Sequence, residues 1–439
     1  MYFQAMEALH TQQLHLAPEH ALRAVLTACA AEDWYACYVT DRARFECAIG
    51  ASRKLIITEA AGAFAKLEAF HAASSGPIAG YLAYDLKDDL YPTLSGNMDP
   101  LDFRVSTFFE PRLWLKAEHG RITLTGKEAT HLTEFAERLK KSTHDGRTVS
   151  AAPIELRAHS SREDYLAGAR RLMEHIQRGD IYEVNYCMQF TGKAPHFDPA
   201  ATFMALQART EAPFSVMARM GSHHLLCASP ERFLRHVGGR LLSQPIKGTA
   251  RRHRDALLDE QLKEALRQDP KEQSENVMIV DLVRNDLSRV AARGSVQVEE
   301  LFGVYSFKTV HHMISSISAR LDAGRSPWEA IKACFPMGSM TGAPKLSAMQ
   351  LIDKHENFKR GLYSGAFGKM EPNGDFDFNV VIRSLLYNSD TEALSLSAGS
   401  ALTSAALPEN EYDECLLKAR AIVEVLNPQL SKDGLENTL

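Results

Sequence analysis

The chain has 439 residues, of which 45% are hydrophobic and 24% are charged, and its formal net charge at pH 7 is −5. This composition is that of a globular protein with one large domain or two ordinary ones, and its negative charge argues against binding to a nucleic acid backbone, which needs a basic face. It contains no apolar run of the roughly 20 residues that a membrane span requires, and its beginning lacks the apolar segment of a signal peptide. We therefore expect neither a nucleic acid nor a membrane among its partners.

The first part of the chain is predicted to mix short strands with helices. Four stretches have a strand-like composition: Trp34–Val39, Lys54–Thr58, Ala79–Tyr84 and Arg121–Thr125. A hydrophobic period of 3.6 residues then predicts a helix over Glu128–Lys141. The polar segment 142–160 follows without periodicity, and we interpret it as the boundary between an N-terminal α+β region (6–150) and a second domain (151–430). Residues 1–5 resemble the remnant of a tag.

The second part has clearer signals. Ser161 and Asp164 predict the capped start of a helix that ends at Gly179, and Gly238-Gly239 predicts a two-residue hairpin turn. The predicted strands are Ile181–Thr191, Leu225–Arg235, Arg240–Ile246, Tyr363–Met370, Phe376–Tyr387 and Ala393–Ala398. The predicted helices are Lys271–Val290, Lys345–His355 and Glu409–Leu426. Runs of strands with helices between them indicate an α+β fold.

The cysteines indicate a reducing compartment. Their number is odd, no two form a CxxC pair, and they are scattered at Cys29, Cys37, Cys47, Cys187, Cys227, Cys334 and Cys415. This usage is typical of buried, reduced thiols. We therefore predict a cytoplasmic protein.

Two predicted helices carry pairs of carboxylates. Glu272 and Glu275 are three residues apart, as are Glu411 and Glu414, and Lys418 follows one turn later. A carboxylate on an apolar helix face is costly unless it is paired or binds a metal. One carboxylate from each helix would suit Mg²⁺, which prefers oxygen ligands. Solvated helix faces with salt bridges to neighbouring lysines explain the same spacing.

The predicted hairpin brings a lysine near a glutamate. Pairing across Gly238-Gly239 makes Glu231 and Lys247 diagonal neighbours, although a regular pleat would place them on opposite faces. Their convergence on one site needs a bulge or a strand end, for which Pro245 is a suitable place. Lys247 could be a nucleophile if burial lowers its pKa, and Glu231 a general acid if burial raises its pKa. An exposed cross-strand ion pair is the alternative.

Eight segments together resemble the chorismate-utilising enzymes, a family that includes anthranilate, aminodeoxychorismate, isochorismate and salicylate synthases. The resemblance extends from about Ser160 to Leu426. The segments are SPERF (Ser229–Phe233), PIKGT (Pro245–Thr249), SENVMIVDLVRNDL (Ser274–Leu287), VHHM (Val310–Met313), TGAPK (Thr341–Lys345), GLYSGAFG (Gly361–Gly368), NVVIRS (Asn379–Ser384) and ENEYDE (Glu409–Glu414). The resemblance implies a sandwich of two large, mostly antiparallel sheets flanked by helices, with residues 151–430 as the chorismate-binding catalytic domain.

The resemblance also implies roles for individual residues. Glu275 and Glu414 match direct Mg²⁺ ligands, and Glu272 and Glu411 match groups that bind the metal's waters. Glu231 matches the general acid that protonates a departing ring hydroxyl. The residues that match positions lining the chorismate site are Gly248, Thr249, His312, Thr341, Tyr363, Arg383, Gly399 and Lys418. Among these, Arg383 and Tyr363 would hold the enolpyruvyl carboxylate, and Lys418 the ring carboxylate.

Lys247 separates the members of the family. Aminodeoxychorismate synthases resemble this chain in having the segment PIKGT, whereas anthranilate synthases have alanine at the lysine position. The resemblance therefore implies component I of an aminodeoxychorismate synthase. In this enzyme Lys247 would attack ring carbon 2 as the carbon 4 hydroxyl leaves, and ammonia would then attack carbon 4 and expel the lysine. The product would be 4-amino-4-deoxychorismate, a precursor of p-aminobenzoate and folate. A separate glutamine amidotransferase subunit would supply the ammonia, because nothing in the chain resembles a glutaminase.

Three alternatives accompany this interpretation. Anthranilate synthase component I disagrees at Lys247. An isochorismate or salicylate synthase disagrees at Glu183, where those enzymes have a lysine base. A non-catalytic chorismate-binding regulator would be expected to lack a metal carboxylate or the acid, and this chain has them all. Many aminating members have glutamine where Glu183 stands, and the sequence assigns this carboxylate no role.

Overall fold

A computed structural model describes residues 9–91, 93, 96–142 and 153–428. The predicted tag remnant and residues 143–152 of the predicted boundary segment lie outside these residues. The described strands are β1 His10–His15, β2 Trp34–Asp41, β3 Arg44–Ile57, β4 Ile78–Leu82, β5 Ser106–Glu118, β6 Arg121–Gly126, β7 Arg157–Ala158, β8 Glu183–Lys193, β9 Phe214–Met220, β10 His223–Ser229, β11 Arg232–Val237, β12 Arg240–Gln244, β13 Ile246–Arg251, β14 Gln297–Ser306, β15 Val310–Arg320, β16 Gly342–Ala343, β17 Ala366–Met370, β18 Phe376–Val380, β19 Ser384–Asn388 and β20 Ala393–Leu402. The described α-helices are α1 Pro18–Cys29, α2 Ala63–Ala72, α3 Ala129–Ser142, α4 Arg162–Arg178, α5 Pro199–Thr210, α6 Ala256–Gln268, α7 Pro270–Ser288, α8 Pro327–Cys334, α9 Lys345–His355 and α10 Pro408–Leu426.

The strands form two antiparallel sheets that are joined at their edges. The first sheet has the order β1-β6-β5-β3-β2-β9-β10-β19-β20-β8-β7. The second has the order β14-β15-β12-β11-β18-β17-β4-β5, with β13 extending β12 along β15. The long strand β5 belongs to both sheets. This arrangement, with helices flanking the sheets, confirms the predicted α+β sandwich.

A second junction between the sheets interrupts two strands that the sequence predicts as continuous. The predicted strand Leu225–Arg235 is divided after Ser229, so that β10 pairs in the first sheet and β11 in the second. The predicted strand Phe376–Tyr387 is divided in the same way into β18 and β19. Both continuous predictions were wrong for a local reason. Pro230 has no N–H for a strand ladder, and Arg383 has a positive φ of 52°.

The helix signals were more reliable. The Ser161 hydroxyl accepts from the backbone N–H of Asp164, and Gly179 ends α4 with φ 82°, as predicted. The predicted helices over Lys271–Val290 and Glu409–Leu426 correspond to α7 and α10. Strand β15 was missed because its inward positions include histidines and serines that are buried in the fold.

Strands from the predicted N-terminal region pair with strands of the second region. Strand β2 pairs with β9, and β4 pairs with β17. One hydrophobic core likewise contains Leu26 and Phe135 together with Leu172 and Leu416. The position of the boundary at residue 150 stays a prediction. The cysteines are all free and buried, and none of the helices in the described ranges has the length and apolar character of a membrane span.

Candidate active site

A cavity of about 950 Å³ collects side chains from several elements and both strand interruptions. Most of its lining comes from β13, β15, β20, α7 and α10, with Glu231 from the first interruption and Arg383 from the second. This volume is that of a small-molecule site. The residues that the sequence singles out therefore converge from segments that are far apart in the chain.

Glu231 lies in the interruption between β10 and β11. It is 4% exposed, and its Oε1 accepts a hydrogen bond from the Ser339 hydroxyl at 2.6 Å. Burial raises the pKa of Glu231 to about 7, although Ser339 and the charges of Lys247 and Lys418 act in the opposite direction. A carboxyl group with this pKa is partly protonated at neutral pH, as a general acid must be.

Lys247 reaches the cavity through a bulge in β13. The pairing of β13 with β15 changes register between Ile246 and Thr249, and Gly248 between them has φ 88°, which glycine adopts without strain. A second register change, between Arg232 and Arg235, interrupts the pairing of β11 with β12. The irregularity required for convergence is thus present on both strands of the hairpin.

The partner of Lys247 is Glu183 and not Glu231. The Lys247 Nζ donates to Glu183 Oε1 within a buried ion pair, and the other oxygen of Glu183 has no hydrogen-bond partner among the described residues. Burial alone would lower the pKa of Lys247, but Glu183, Glu275 and Glu414 together raise it above its ordinary value. The lowered pKa considered from the sequence is therefore not what these neighbours produce, and the amine is an ammonium until a base takes its proton.

The four predicted carboxylates of α7 and α10 line the same wall of the cavity: Glu272, Glu275, Glu411 and Glu414. Lys271 lies between the helices, with its Nζ 3.2 Å from Glu411 Oε1 and 3.8 Å from Glu275 Oε1. Lys418 binds Glu414 Oε1 at 2.6 Å and the Gly399 carbonyl at 2.8 Å. The ion pairs of the alternative interpretation are thus present as well, but two of their carboxylates, Glu275 and Glu411, are buried.

This wall fits a hard divalent cation. Glu275 Oε1 is buried and accepts no hydrogen bond from the part of the chain that the structure describes, and burial raises the pKa of Glu275 to about 7. Burial also disfavours the charged form of Glu414, but the ammonium of Lys418, which binds this carboxylate, lowers the pKa of Glu414 to about 2. In the described part of the chain no three acidic, histidine or cysteine side chains form a complete metal site. A cation held by one carboxylate from each helix would therefore need further oxygen ligands from water or substrate.

The other predicted binding residues divide into two groups. Those that line the cavity are Gly248, Thr249, His312, Tyr363, Arg383, Gly399 and Lys418. Thr341 lies behind the wall, and its hydroxyl donates to the carbonyls of Met337 and Gly338 at 3.2 and 3.3 Å. Ser339 and Met340 of the same turn line the cavity in its place.

The comparisons with known proteins agree with this arrangement. The model of the chorismate binding enzyme family matches residues 23–424. The chain belongs to this family. Anthranilate synthase component 1 of Thermus thermophilus is 33% identical over 369 residues, which cover 82% of this chain and 79% of that protein.

Other family members carry a different name. The chloroplastic aminodeoxychorismate synthase of Arabidopsis thaliana is 44% identical over 264 residues, 60% of this chain and 28% of that protein. Aminodeoxychorismate synthase component 1 of Klebsiella aerogenes is 38% identical over 270 residues, 62% of this chain and 59% of that protein. The matched part of this chain thus spans less than a third of the Arabidopsis relative and about three fifths of the Klebsiella one.

Two solved structures confirm the fold. Anthranilate synthase component I of Streptococcus pneumoniae superimposes with a TM-score of 0.77 at 21% identity, over 89% of this chain and 92% of the other. The menaquinone-specific isochorismate synthase of Escherichia coli gives a TM-score of 0.73 at 19% identity, over 96% and 95%.

One side of the cavity combines the guanidinium of Arg383 with the imidazole of His312. Arg383 makes no ion pair within the described ranges, and its Nη1 donates to the Lys418 carbonyl at 3.3 Å. The Thr249 hydroxyl lies 3.0 Å from His312 Nδ1, and burial together with Arg383 lowers the pKa of His312 to about 3. The imidazole is therefore neutral, and Arg383 is available to a carboxylate of a ligand.

The sequence left Glu183 without a role and did not assign Ser339 or Lys271 to the site. Glu183 and Ser339 are buried partners of Lys247 and Glu231, at separations of 64 and 108 residues. No periodicity connects residues so far apart. The departure from the family pattern at Glu183 was the one available signal, and Ser339 lies next to a matched segment.

Proposed function

We propose that this chain aminates chorismate with ammonia at ring carbon 4 and produces 4-amino-4-deoxychorismate for p-aminobenzoate and folate synthesis. The observation that carries the proposal is the buried Lys247, which lines the same cavity as the carboxyl group of Glu231. The relatives named aminodeoxychorismate synthase support it at 44% and 38% identity. A nucleophile and an acid in one cavity are the two groups that a two-step displacement needs.

The first step forms a bond between Lys247 and the ring. Glu183 takes a proton from the Lys247 ammonium, with which it is in contact. The neutral amine attacks carbon 2, the two ring double bonds shift from carbons 1–2 and 5–6 to carbons 1–6 and 4–5, and the carbon 4 hydroxyl leaves with its electron pair. Glu231 gives this oxygen a proton, so that it departs as water. Burial prepares Glu231 for this transfer, because it disfavours the charged form of the carboxyl group and so keeps part of it protonated before the hydroxyl leaves.

The second step releases the lysine. Ammonia attacks carbon 4, the two double bonds return from carbons 4–5 and 1–6 to carbons 5–6 and 1–2, and the bond from carbon 2 to Lys247 breaks. The electron pair of that bond returns to Lys247, which regains its proton from Glu183. Glu231 regains a proton from solvent, and the enolpyruvyl group stays on the ring.

The remaining groups would bind and orient the substrate. Arg383 and Tyr363 would hold the enolpyruvyl carboxylate, and Lys418 the ring carboxylate. Glu275 and Glu414 would hold Mg²⁺ directly, with Glu272 and Glu411 binding its waters. When bound, this ion supplies positive charge beside the ring carboxylate.

A separate glutamine amidotransferase subunit is proposed as the source of ammonia. The Klebsiella relative is named as component 1 of its synthase, which supports a second component. The cysteines of this chain are all buried, whereas a glutaminase needs an accessible nucleophilic thiol. The cytoplasmic location stays a prediction, and the Arabidopsis relative is named chloroplastic.

Product identification tests the function. The purified chain should convert chorismate to 4-amino-4-deoxychorismate with Mg²⁺ and an ammonium salt, and should use glutamine only when an amidotransferase subunit is added. Chromatography with mass spectrometry distinguishes this product from anthranilate, the product expected of the alternative that the Thermus relative suggests. Anthranilate as the main product would contradict the proposal.

A lysine variant tests the covalent step. Lys247→Ala should abolish 4-amination, and chorismate without ammonia should leave an adduct on Lys247 that intact-mass spectrometry detects. Lys308→Ala, at a half-exposed ion pair with Glu211, is the matched control and should retain both properties. An active Lys247→Ala variant together with no adduct in the unmodified chain would exclude the covalent mechanism.

A further inference from the structure

The Ser339 hydroxyl is fixed against the proposed acid. It donates to Glu231 Oε1 at 2.6 Å, and both side chains are largely buried in the cavity wall. Ser339 belongs to a 3-10 turn, Gly338–Met340. Neither the sequence motifs nor the proposed reaction gives this serine a role.

The turn that carries Ser339 is held on two sides. Gly338 packs so closely on α7 that an added Cβ would lie 2.7 Å from Leu282 Cδ2. The Met340 carbonyl accepts from Arg360 Nη1 at 2.7 Å, and Arg360 is itself bound to Glu356 at 2.6 Å in a fully buried ion pair. Because the backbone is held on both sides of Ser339, the fold places this side chain beside Glu231.

We propose that Ser339 is a positioning residue that selects which oxygen of Glu231 carries the transferable proton. Oε1 accepts the Ser339 hydrogen bond, so the proton of the neutral carboxyl group lies on Oε2. When the bond from carbon 4 to oxygen breaks, the leaving oxygen takes its electron pair and the proton from Oε2. The carboxylate that remains is stabilised by the same hydrogen bond. This inference rests on the proposed role of Glu231 as the acid.

The groups around Glu231 determine the sign of the expected effect. The positive charges of Lys247 and Lys418, the Ser339 hydroxyl and the backbone N–H of Ile246 all favour the charged form of Glu231, and burial opposes them. Removing the hydroxyl leaves the other groups in place. The pKa of Glu231 should therefore rise when Ser339 is replaced by alanine.

Ser339→Ala and Ser339→Thr test the inference by two measurements. Infrared difference spectra against pH follow the carboxyl stretch of Glu231, which is assigned as the band that Glu231→Gln removes. Its apparent pKa should rise by about one unit in Ser339→Ala, because a hydrogen bond to the charged form is lost. In steady-state assays at pH 6 and a fixed concentration of free ammonia, kcat should fall about tenfold through misplacement of the acid. The defect relative to the unmodified chain should shrink as pH rises, because the variant keeps its acid protonated longer.

The controls separate this inference from the proposed function. Ser339→Thr retains a hydroxyl and should restore both the infrared pKa and the rate. Ser243→Ala removes a buried hydroxyl that donates to the Phe233 carbonyl at 2.8 Å, and it should change neither quantity. An unchanged infrared pKa in Ser339→Ala would overturn the inference whatever the product. A shifted pKa in a chain that never aminates chorismate would support the link from Ser339 to Glu231 and overturn the proposed function.

Discussion

At the scale of single residues, the proposed acid is held in an environment that is costly for the fold. Burial raises the pKa of Glu231 from its ordinary value of 4.5 to about 7. Between these values the unfolded chain is ionised at Glu231 and the folded chain is protonated, so the fold loses stability as pH rises from 4.5 to 7. Above pH 7 the full cost is present, about 3 kcal/mol for a shift of this size.

Glu231→Gln should therefore stabilise the protein while abolishing its activity. Glutamine keeps the shape and can still accept from Ser339, but it has no charge to bury. The melting temperature of the variant should match that of the unmodified chain near pH 4.5 and exceed it increasingly up to pH 8. Differential scanning calorimetry over this range measures the difference. Glu68→Gln, on an exposed position of α2, is the control and should show no such trend. A destabilised Glu231→Gln variant at pH 8 would contradict this reading of the site.

At the scale of elements, the sequence was sufficient where the signal is local. The Ser161 cap, the Gly238-Gly239 turn and the carboxylate faces of α7 and α10 depend on neighbours within four residues. The ion pairs between distant strands could not be predicted from local patterns. Lys247 was expected to lie beside Glu231 of its own hairpin, and its actual partner Glu183 comes from β8.

The strand interruptions show why the site was harder to predict than the fold. The apolar runs on both sides of Pro230 and Arg383 are buried, so hydrophobicity alone joins them into single strands. What divides them is the change of pairing partner from one sheet to the other. Where the chain leaves one sheet for the other, ladder hydrogen bonds no longer occupy its backbone groups, and both the backbone and the side chains are exposed. The acid and the guanidinium lie at these two points.

Helices α7 and α10 support a prediction about metal binding that does not depend on turnover. Their carboxylates line one wall of the cavity, and Lys271 makes ion pairs with carboxylates of both helices. Mg²⁺ that binds only the folded chain should raise the melting temperature, by the equivalent of about 2.7 kcal/mol at one hundred times its Kd. Glu275→Gln should remove most of this increase, because it neutralises a proposed direct ligand.

Matched measurements identify where the ion acts. Titration with Mg²⁺ followed by thermal unfolding should show the full increase in Glu264→Gln, which changes an exposed glutamate of α6. Calcium and sodium chloride at equal ionic strength separate binding of a particular ion from general screening. Equal stabilisation of the unmodified chain and of Glu275→Gln would mean that the ion binds elsewhere.

At the scale of the whole molecule, the sheets form a closed circuit. Strands β5, β3, β2, β9 and β10 lead through the interruption at Glu231 to β11, β18, β17 and β4, which pairs again with β5. The cavity opens beside this circuit, and residues near both interruptions line it. The sequence predicted the class of this architecture through family resemblance. The circuit itself is a set of long-range pairings that no local pattern specifies.

The circuit predicts that residues 153–428 do not fold well without the N-terminal strands. Removing the preceding region would take β2 from β9 and β4 from β17, leaving two strands with unpaired N–H and C=O groups. Strand β9 is also largely buried, so its apolar side chains would be exposed together with its edge. Such edges pair with other chains.

We therefore expect the fragment to aggregate on expression and the full chain to unfold in one calorimetric transition. Size-exclusion chromatography and calorimetry of both chains test this, and adding the separate segment 9–142 should rescue solubility if lost pairing is the cause. A soluble, monomeric fragment that melts near the temperature of the full chain would instead establish the second region as an autonomous domain, with the N-terminal strands as an accessory layer.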